Sequence, residues 1–241
     1  MNYILYIAIA LLPSILWLLL YLRRDIHPEP KRMILRIFIW GVLVAFPVLI
    51  AESILIELAL PHIPLHPLAL TAVKYLLIVA VVEELFKYFA VKFEVIDSTG
   101  QIDEPTDTMI YMIAAALGFA AIENVILLTP LFEDNFVPTL QLTFSRFVGA
   151  TFIHVLASAT IGYYIALSFA RPDKKLRLLI HGFVIAICIH GFYNILVVRM
   201  SDYPYLLLVV ALIIGLSAYT ISVYFKKVSK MKSITIMQTD K

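Results

Sequence analysis

Residues 204–225 read Pro204-Tyr-Leu-Leu-Leu-Val-Val-Ala-Leu-Ile-Ile-Gly-Leu-Ser-Ala-Tyr-Thr-Ile-Ser-Val-Tyr-Phe225, a run without a charged side chain that stops at Lys226 and Lys227. About 20 predominantly apolar residues are enough for a helix to cross the hydrocarbon core of a bilayer, so this run is read as a spanning helix. Six more runs of that kind lie upstream, near residues 2–22, 34–60, 67–92, 107–130, 142–170 and 177–199. The second holds Pro47 and is long, which predicts a kink or a tilt. Turn-forming segments separate the runs: His27-Pro28-Glu29-Pro30, Pro61-His62-Ile63-Pro64, Ser98-Thr99-Gly100 and Arg171-Pro172-Asp173.

Composition agrees. Of 241 residues, 62% are hydrophobic and 15% charged, with a mean hydropathy of +0.94; a soluble domain carries about 25% charged residues. The expected fold is all-α: a polytopic membrane helix bundle of about seven transmembrane helices. Residues 1–226 form one transmembrane domain with the catalytic core inside 67–199, and 227–241 form a short basic, polar tail. The net charge of +2 is no sign of a nucleic-acid partner, because the basic residues cluster at loop positions that membrane topology explains. The single cysteine, Cys188, excludes an intramolecular disulfide and any CxxC metal motif. With no Lys or Arg ahead of the first apolar run and no Ala-x-Ala site after it, Asn2–Leu22 is expected to stay as a span.

The distribution of Lys and Arg sets an orientation. Arg23, Arg24, Lys31 and Arg32 fill the first loop, Arg171, Lys174, Lys175 and Arg177 the fifth, and Lys226, Lys227, Lys230 and Lys232 the tail. The loops near 61–66 and 130–141 have neither residue type. Alternation then places the N-terminus outside and the C-terminus in the cytoplasm of a cell membrane. The third loop, Phe93–Asp107, with Lys92 at its edge and otherwise acidic, is the weakest vote, and its segment Asp97–Asp107 is a candidate mobile or substrate-recognising loop.

Inside the spans, the polar residues that lipid would penalise are few. The third run contains Ala80-Val81-Val82-Glu83-Glu84-Leu85-Phe86-Lys87; the fourth, Glu123 and Asn124; the fifth, Arg146, His154 and Ser158; the sixth, His181, His190 and Asn194. A carboxylate at the centre of a membrane helix costs about 2.5–3.5 kcal/mol on insertion scales, so two in succession are a functional signal. Spacing of four residues puts Glu83 with Lys87, His154 with Ser158 and His190 with Asn194 on shared helix faces. Counted from the outer loops at about 1.5 Å per residue, Glu83, Glu123, His154 and His190 fall in a common layer between the bilayer midplane and its outer half. His181 lies near the cytoplasmic end and is read as interfacial. Glu52 and Glu57 carry the same cost, but nothing in the sequence brings them to the others. Each group also has a structural reading: an ion pair of the glutamates with Lys87 or Lys74, interhelical hydrogen bonds from Glu123 and Asn124, close helix packing at Gly118 and Gly162.

Carboxylates and imidazoles gathered in a low-dielectric cavity suit the activation of water, by a general base or at a metal held by Glu and His. Proton relays in transporters and channels use the same residue types, and a non-catalytic scaffold for transmembrane helices is a third reading.

The segments Glu83-Glu84-Leu85-Phe86-Lys87, Asp107-x3-Tyr111 leading into Gly118-Phe119-Ala120-Ala121-Ile122-Glu123-Asn124, the His154 span with Gly162-Tyr163, and His190-Gly191-Phe192-Tyr193-Asn194 resemble the PrsW family of intramembrane proteases. That family is similar to the CAAX prenyl endopeptidases and bacteriocin-processing membrane proteins; Lys87, three residues after the second glutamate, favours the PrsW branch. The resemblance implies an endopeptidase acting on a membrane-anchored protein, such as a single-pass anti-sigma factor cut near its extracytoplasmic end. It assigns Glu83, Glu84, His154, His190, Asn194 and Glu123 to catalysis, with Lys87, Asn124 and Arg146 in support. One of the two adjacent glutamates, helped by His154, would deprotonate water, and His190 with Asn194 would stabilise the oxyanion. No cofactor is required by this scheme; the metal alternative is a zinc ion on Glu84, His154 and His190. The expected partners are the substrate and the lipid bilayer.

Overall fold

The computed structural model describes residues 2–24, 27–97 and 102–231; residues 98–101 of the acidic loop and 232–241 of the tail lie outside the described residues. Among the described residues there are helices and no strand. Nine α-helices follow one another: α1 Tyr3–Leu22, α2 Lys31–Ser53, α3 Pro67–Ala72, α4 Ala80–Val91, α5 Pro105–Asp134, α6 Phe136–Val148, α7 Ala150–Ala170, α8 Lys175–Arg199 and α9 Leu206–Val228.

Six helical runs are long and apolar enough to cross a membrane: Tyr3–Leu22, Lys31–His62, Pro105–Asp134, Phe136–Ala170, Pro172–Arg199 and Leu206–Val228. They coincide with six of the seven runs read from the sequence. The remaining run is also helical, through α3, a π-helical turn at Val73–Val79, α4 and a second π-helical turn at Lys92–Ile96. It fails the apolarity test because Lys74, Glu83, Glu84, Lys87, Lys92 and Glu94 are spread along it. The boundary near 130–141 also differs from the expected loop. α5 continues to Asp134, and only Asn135 separates it from α6. The Thr139 hydroxyl donates to the Asn135 carbonyl (2.6 Å) and the Leu131 carbonyl (3.0 Å), adding to the backbone N–H bonds that these acceptors receive from Thr139 and Asn135 across the tight junction.

α5 and α7 form the axis of the bundle. α5 is buried from Pro105 through Ala121 and α7 from Thr151 through Tyr163, and the two pack on each other. α1 and α2 lean on α5, α8 and α9 on α7, and α4 fits between α2, α5 and α8. The outer helices turn large apolar side chains outward, among them Ile4, Leu35, Ile50, Leu208 and Tyr219. A surface of that kind suits contact with lipid, not water.

Small residues decide how closely these helices approach. A Cβ added at Gly41 would stand 2.0 Å from the Ala115 carbonyl oxygen, and one at Gly118 would stand 1.9 Å from that of Phe38. α2 and α5 therefore touch backbone to backbone at two reciprocal points. Gly162 of α7 lies equally close to Thr108 and Met109 of α5, and the Thr108 hydroxyl donates to the Gly162 carbonyl at 2.8 Å. The close-packing reading of Gly118 and Gly162 matches this geometry. We predict that Gly118→Val lowers the thermal unfolding temperature in detergent, by an overpacking cost of about 1–3 kcal/mol or more. Gly215→Ala, with nothing within 4 Å of the new Cβ, should leave it unchanged or raised. Equal stability of the two variants would refute the role given to the α2–α5 contact.

Candidate active site

α4 enters the bundle with Ala80, Glu83, Glu84 and Lys87 turned inward. Spacings of three and four residues place these groups on one helix face, opposite α5, α7 and α8. Burial is nearly complete: Glu84 and Lys87 are 0% exposed and Glu83 5%. The Lys87 Nζ donates to Glu83 Oε2 (3.0 Å) and Glu84 Oε1 (2.8 Å), lies 2.8 Å from His154 Nδ1, and stands 4.5 Å above the Phe119 ring. An ammonium has no acceptor lone pair, so its contact with His154 makes Nδ1 the acceptor and places the imidazole proton on Nε2. That Nε2 lies 3.1 Å from Glu123 Oε2, a carboxylate ready to receive the proton.

His190 is set in the mirror sense. Its Nδ1 lies 3.0 Å from Glu84 Oε1, so Nδ1–H donates and the Nε2 lone pair is left facing Glu83 Oε2 at 3.9 Å. Glu84 is then saturated, because Ser158 donates to its other oxygen at 2.8 Å. Gly191, the next residue on α8, allows this fit: a Cβ there would approach Leu76 Cα and the Tyr75 carbonyl oxygen to 2.9 Å. The helix carrying His190 thus packs directly on the π-helical turn that precedes α4. Such widened turns recur at functional sites.

Arg146, on the last turn of α6, closes the arrangement from the side. It donates to Asn124 Oδ1 through Nε (2.5 Å) and to Glu123 Oε2 through Nη2 (2.9 Å), and Asn124 donates to Thr151 at 3.1 Å. The helical path breaks at Gly149, where a Cβ would be 2.3 Å from the Tyr193 hydroxyl. This break lets Arg146 and His154 reach Glu123 from two different helices. Glu123 is the open edge, with its side chain 37% exposed.

Nine sequence-selected residues therefore share one hydrogen-bonded cluster: Glu83, Glu84, Lys87, Glu123, Asn124, Arg146, His154, Ser158 and His190. Asn194, one turn beyond His190, is half-buried, and among the described residues no hydrogen bond joins it to the cluster. His181 is exposed and pairs with the Arg177 carbonyl, and Glu57 is exposed. Sequence reasoning left Glu52 outside, but the structure draws it in. Val48, one turn before it on α2, packs with Val82, Phe86, Phe119 and Ile122. Glu52 feels the charges of Glu83 and Glu123, and its Oε1 is buried without a hydrogen-bond partner. The four-residue step from Val48 was the available signal, unusable before α2 was known to lie against α4.

Three ligand-type atoms converge at the centre. Atoms of Glu83, His154 and His190 all lie within 4.8 Å of one another. The Glu83–His154 Nδ1 and Glu83–His190 Nε2 separations are 3.5 and 3.9 Å, against about 3.3–3.6 Å between ligands of a tetrahedral zinc ion. The group centres on Glu83, whereas the sequence reading nominated Glu84, whose oxygens are taken by Lys87, His190 and Ser158.

With the site described, comparison with known proteins adds its identity. The profile described as "PrsW family intramembrane metalloprotease" matches residues 29–222. The chain belongs to the PrsW family. Proteins named Protease PrsW from Geobacillus kaustophilus and Shouchella clausii are each 29% identical, over 77% and 80% of this chain and 76% and 84% of their own lengths. Its counterpart in Oceanobacillus iheyensis is 28% identical over 83% of both chains. No solved structure matches the chain significantly. This PrsW family member is an intramembrane protease and a multi-pass membrane protein.

The Lys87 ammonium is what lets the carboxylates coexist in the bundle. Breaking a buried ion pair by removing one partner costs about 3–5 kcal/mol, and a hydrogen bond to a charged group about 1.5–3 kcal/mol. Lys87→Met is accordingly expected to destabilise the protein strongly in chemical denaturation, and Ser158→Ala by a smaller step. A Lys87→Met protein as stable as wild type would contradict the ion-pair network.

Proposed function

We propose that the protein hydrolyses a peptide bond of a membrane-anchored substrate at the Glu83–His154–His190 centre, with a divalent metal ion, zinc by donor chemistry, held by those three residues. The observation that carries this reading is the pair of fixed tautomers. Glu123 accepts from His154 Nε2–H and Glu84 from His190 Nδ1–H, which leaves His154 Nδ1, shared with Lys87, at 3.5 Å and His190 Nε2 at 3.9 Å from Glu83 Oε2. Carboxylates that orient metal-binding histidines in this way are the usual outer support of a zinc site. Two histidines and one glutamate also leave a fourth position open for water, as in catalytic zinc centres. The family's description as metalloproteases supports the same reading.

A zinc ion held by these residues would supply Lewis acidity, lowering the pKa of a bound water and polarising the scissile carbonyl. The chain's own residues do the rest. Glu84 and Ser158 hold His190 in place, and Glu123 with Arg146 holds His154. Asn194, half-buried one turn beyond His190, is the donor assigned to the oxyanion, because the Nδ1–H of His190 is already given to Glu84. The half-exposed Glu123 edge marks the side from which an unwound substrate segment arrives. With the N-terminus outside, that edge lies toward the outer leaflet, where a single-pass protein of the anti-sigma-factor kind would be cut.

One observation favours a second reading. Lys87 sits on two of the same ligand atoms, Glu83 Oε2 and His154 Nδ1, so ammonium and metal compete for them. Without metal, Glu83 is the better base, since Glu84 is saturated by donors.

Purified protein in liposomes, given single-pass membrane substrates, separates the two. Under the metal reading, cleavage is lost in Glu83→Gln and His154→Ala and on treatment with a zinc chelator, and zinc restores it in the chelated wild type. Glu84→Gln and Glu123→Gln should lower activity or metal affinity by about 10–100-fold, the usual effect of removing an orienting carboxylate. Chelator-resistant cleavage that still requires Glu83 would select the carboxylate mechanism. Cleavage surviving in Glu83→Gln would remove this centre from the reaction.

A further inference from the structure

α1 and α2 are consecutive spans, joined by residues 23–30, yet they scarcely touch each other. Both lean on α5 instead. At the end that the distribution of Lys and Arg assigns to the cytoplasm, they leave a groove of about 430 Å³ between them. Its walls are Ile15, Leu18 and Leu22 of α1 and Ile34, Leu35 and Phe38 of α2. Steps of three and four residues put each set on one helix face. From Ile15 to Leu22, and from the mouth at Lys31 to Phe38, the groove runs about 10 Å along the helices. That is roughly two thirds of the 15 Å of hydrocarbon in one leaflet.

Charge enters only at the mouth, where Lys31 and Glu29 stand, and there it is one-sided. Residues 23–32 hold Arg23, Arg24, Lys31 and Arg32 against two acids, Asp25 and Glu29. The four basic side chains are exposed, and none of them makes an ion pair or a side-chain hydrogen bond among the described residues. Glu29 is turned to the Tyr111 hydroxyl, which donates to it at 2.5 Å, and the nearby Glu104 is paired with His27 at 2.6 Å.

We propose that the α1–α2 groove binds one anionic phospholipid of the cytoplasmic leaflet, with an acyl chain between the two helices and its phosphate on Lys31 and the neighbouring arginines. A cation at the water end of an apolar slot that leads into the bilayer is the complement of such a molecule, and basic pockets between membrane helices on the cytoplasmic side take anionic headgroups. The chain supplies the packing that α1 and α2 do not give each other, since a gap would leave the facing side chains without partner atoms. The phosphate supplies the selectivity, because a neutral headgroup gains nothing from the four cations.

Native mass spectrometry tests this on the full-length protein, delipidated in detergent and titrated with phosphatidylglycerol or phosphatidylcholine of identical chains. Wild type should take up one phosphatidylglycerol at least tenfold more tightly than phosphatidylcholine. Glycerol phosphate, a headgroup without chains, should neither bind nor displace it. Lys31→Gln should remove most of the preference between the two lipids, and Leu35→Trp, which fills the slot, should weaken both. Each of these side chains is exposed, so folding is not at stake. Leu208→Trp on the outward surface of α9 should change neither lipid. Equal binding of the two lipids, or binding that Lys31→Gln and Leu35→Trp leave unaltered, would mean ordinary surface lipid and overturn the proposal. Tight binding of glycerol phosphate alone would overturn it in favour of a phosphate site without a chain. Loss of substrate cleavage in Leu35→Trp with lipid binding intact would give the groove to the substrate helix instead.

Discussion

The ammonium of Lys87 is the contact on which the centre of this molecule depends. It neutralises Glu83 and Glu84, fixes the tautomer of His154, and rests on the face of Phe119, all with no exposure to solvent. In a low-dielectric interior an unpaired charge is costly and a paired one is tolerable only with its hydrogen bonds complete. Around it stand Glu83, Glu84 and Glu123 against Lys87 and Arg146, three acids to two bases. Adding Glu52 makes four to two. With all four acids ionised the group is short of two positive charges, an imbalance that protonation of an acid or a bound cation would relieve.

The fold serves that charge cluster. α5 and α7 are buried over most of their length, and the glycines on them bring neighbouring backbones into direct contact. Interhelical packing of small residues replaces the hydrophobic effect as the cohesive force inside a bilayer. The same closeness fixes the four helices that deliver acids and histidines, because Gly191 seats α8 on the turn before α4 and Gly149 frees α6 to bend Arg146 toward Glu123.

Most of this was legible in the sequence, for a physical reason. Lipid penalises every polar side chain, so those retained in apolar runs stand out, and Glu83, Lys87, Glu123, His154 and His190 were found on that ground alone. The resemblance to the PrsW family rested on the same residues. Hidden from sequence were relations across helices that share no period. Glu52 needed the α2–α4 contact, the bond of Ser158 to Glu84 needed the rotation of α7, and the convergence of His154 and His190 on Glu83 and not Glu84 as a candidate ligand group needed the positions of individual oxygens. The brevity of the turn at Asn135 escaped because Pro130, Glu133-Asp134-Asn135 and Pro138 read as a loop, whereas Pro130 lies inside α5 and Pro138 in the first turn of α6.

The third run illustrates the tension between insertion and chemistry. Its charges disqualify it as a free-standing span, yet it is helical from Pro67 to Ile96 and surrounded by apolar neighbours. Such a segment is stable only after α5, α7 and α8 supply partners for Glu83, Glu84 and Lys87. Its place in the membrane therefore depends on the ion-pair cluster being assembled, and the cluster depends on the segment. The residues of the candidate site are thus also those whose loss the bundle can least absorb.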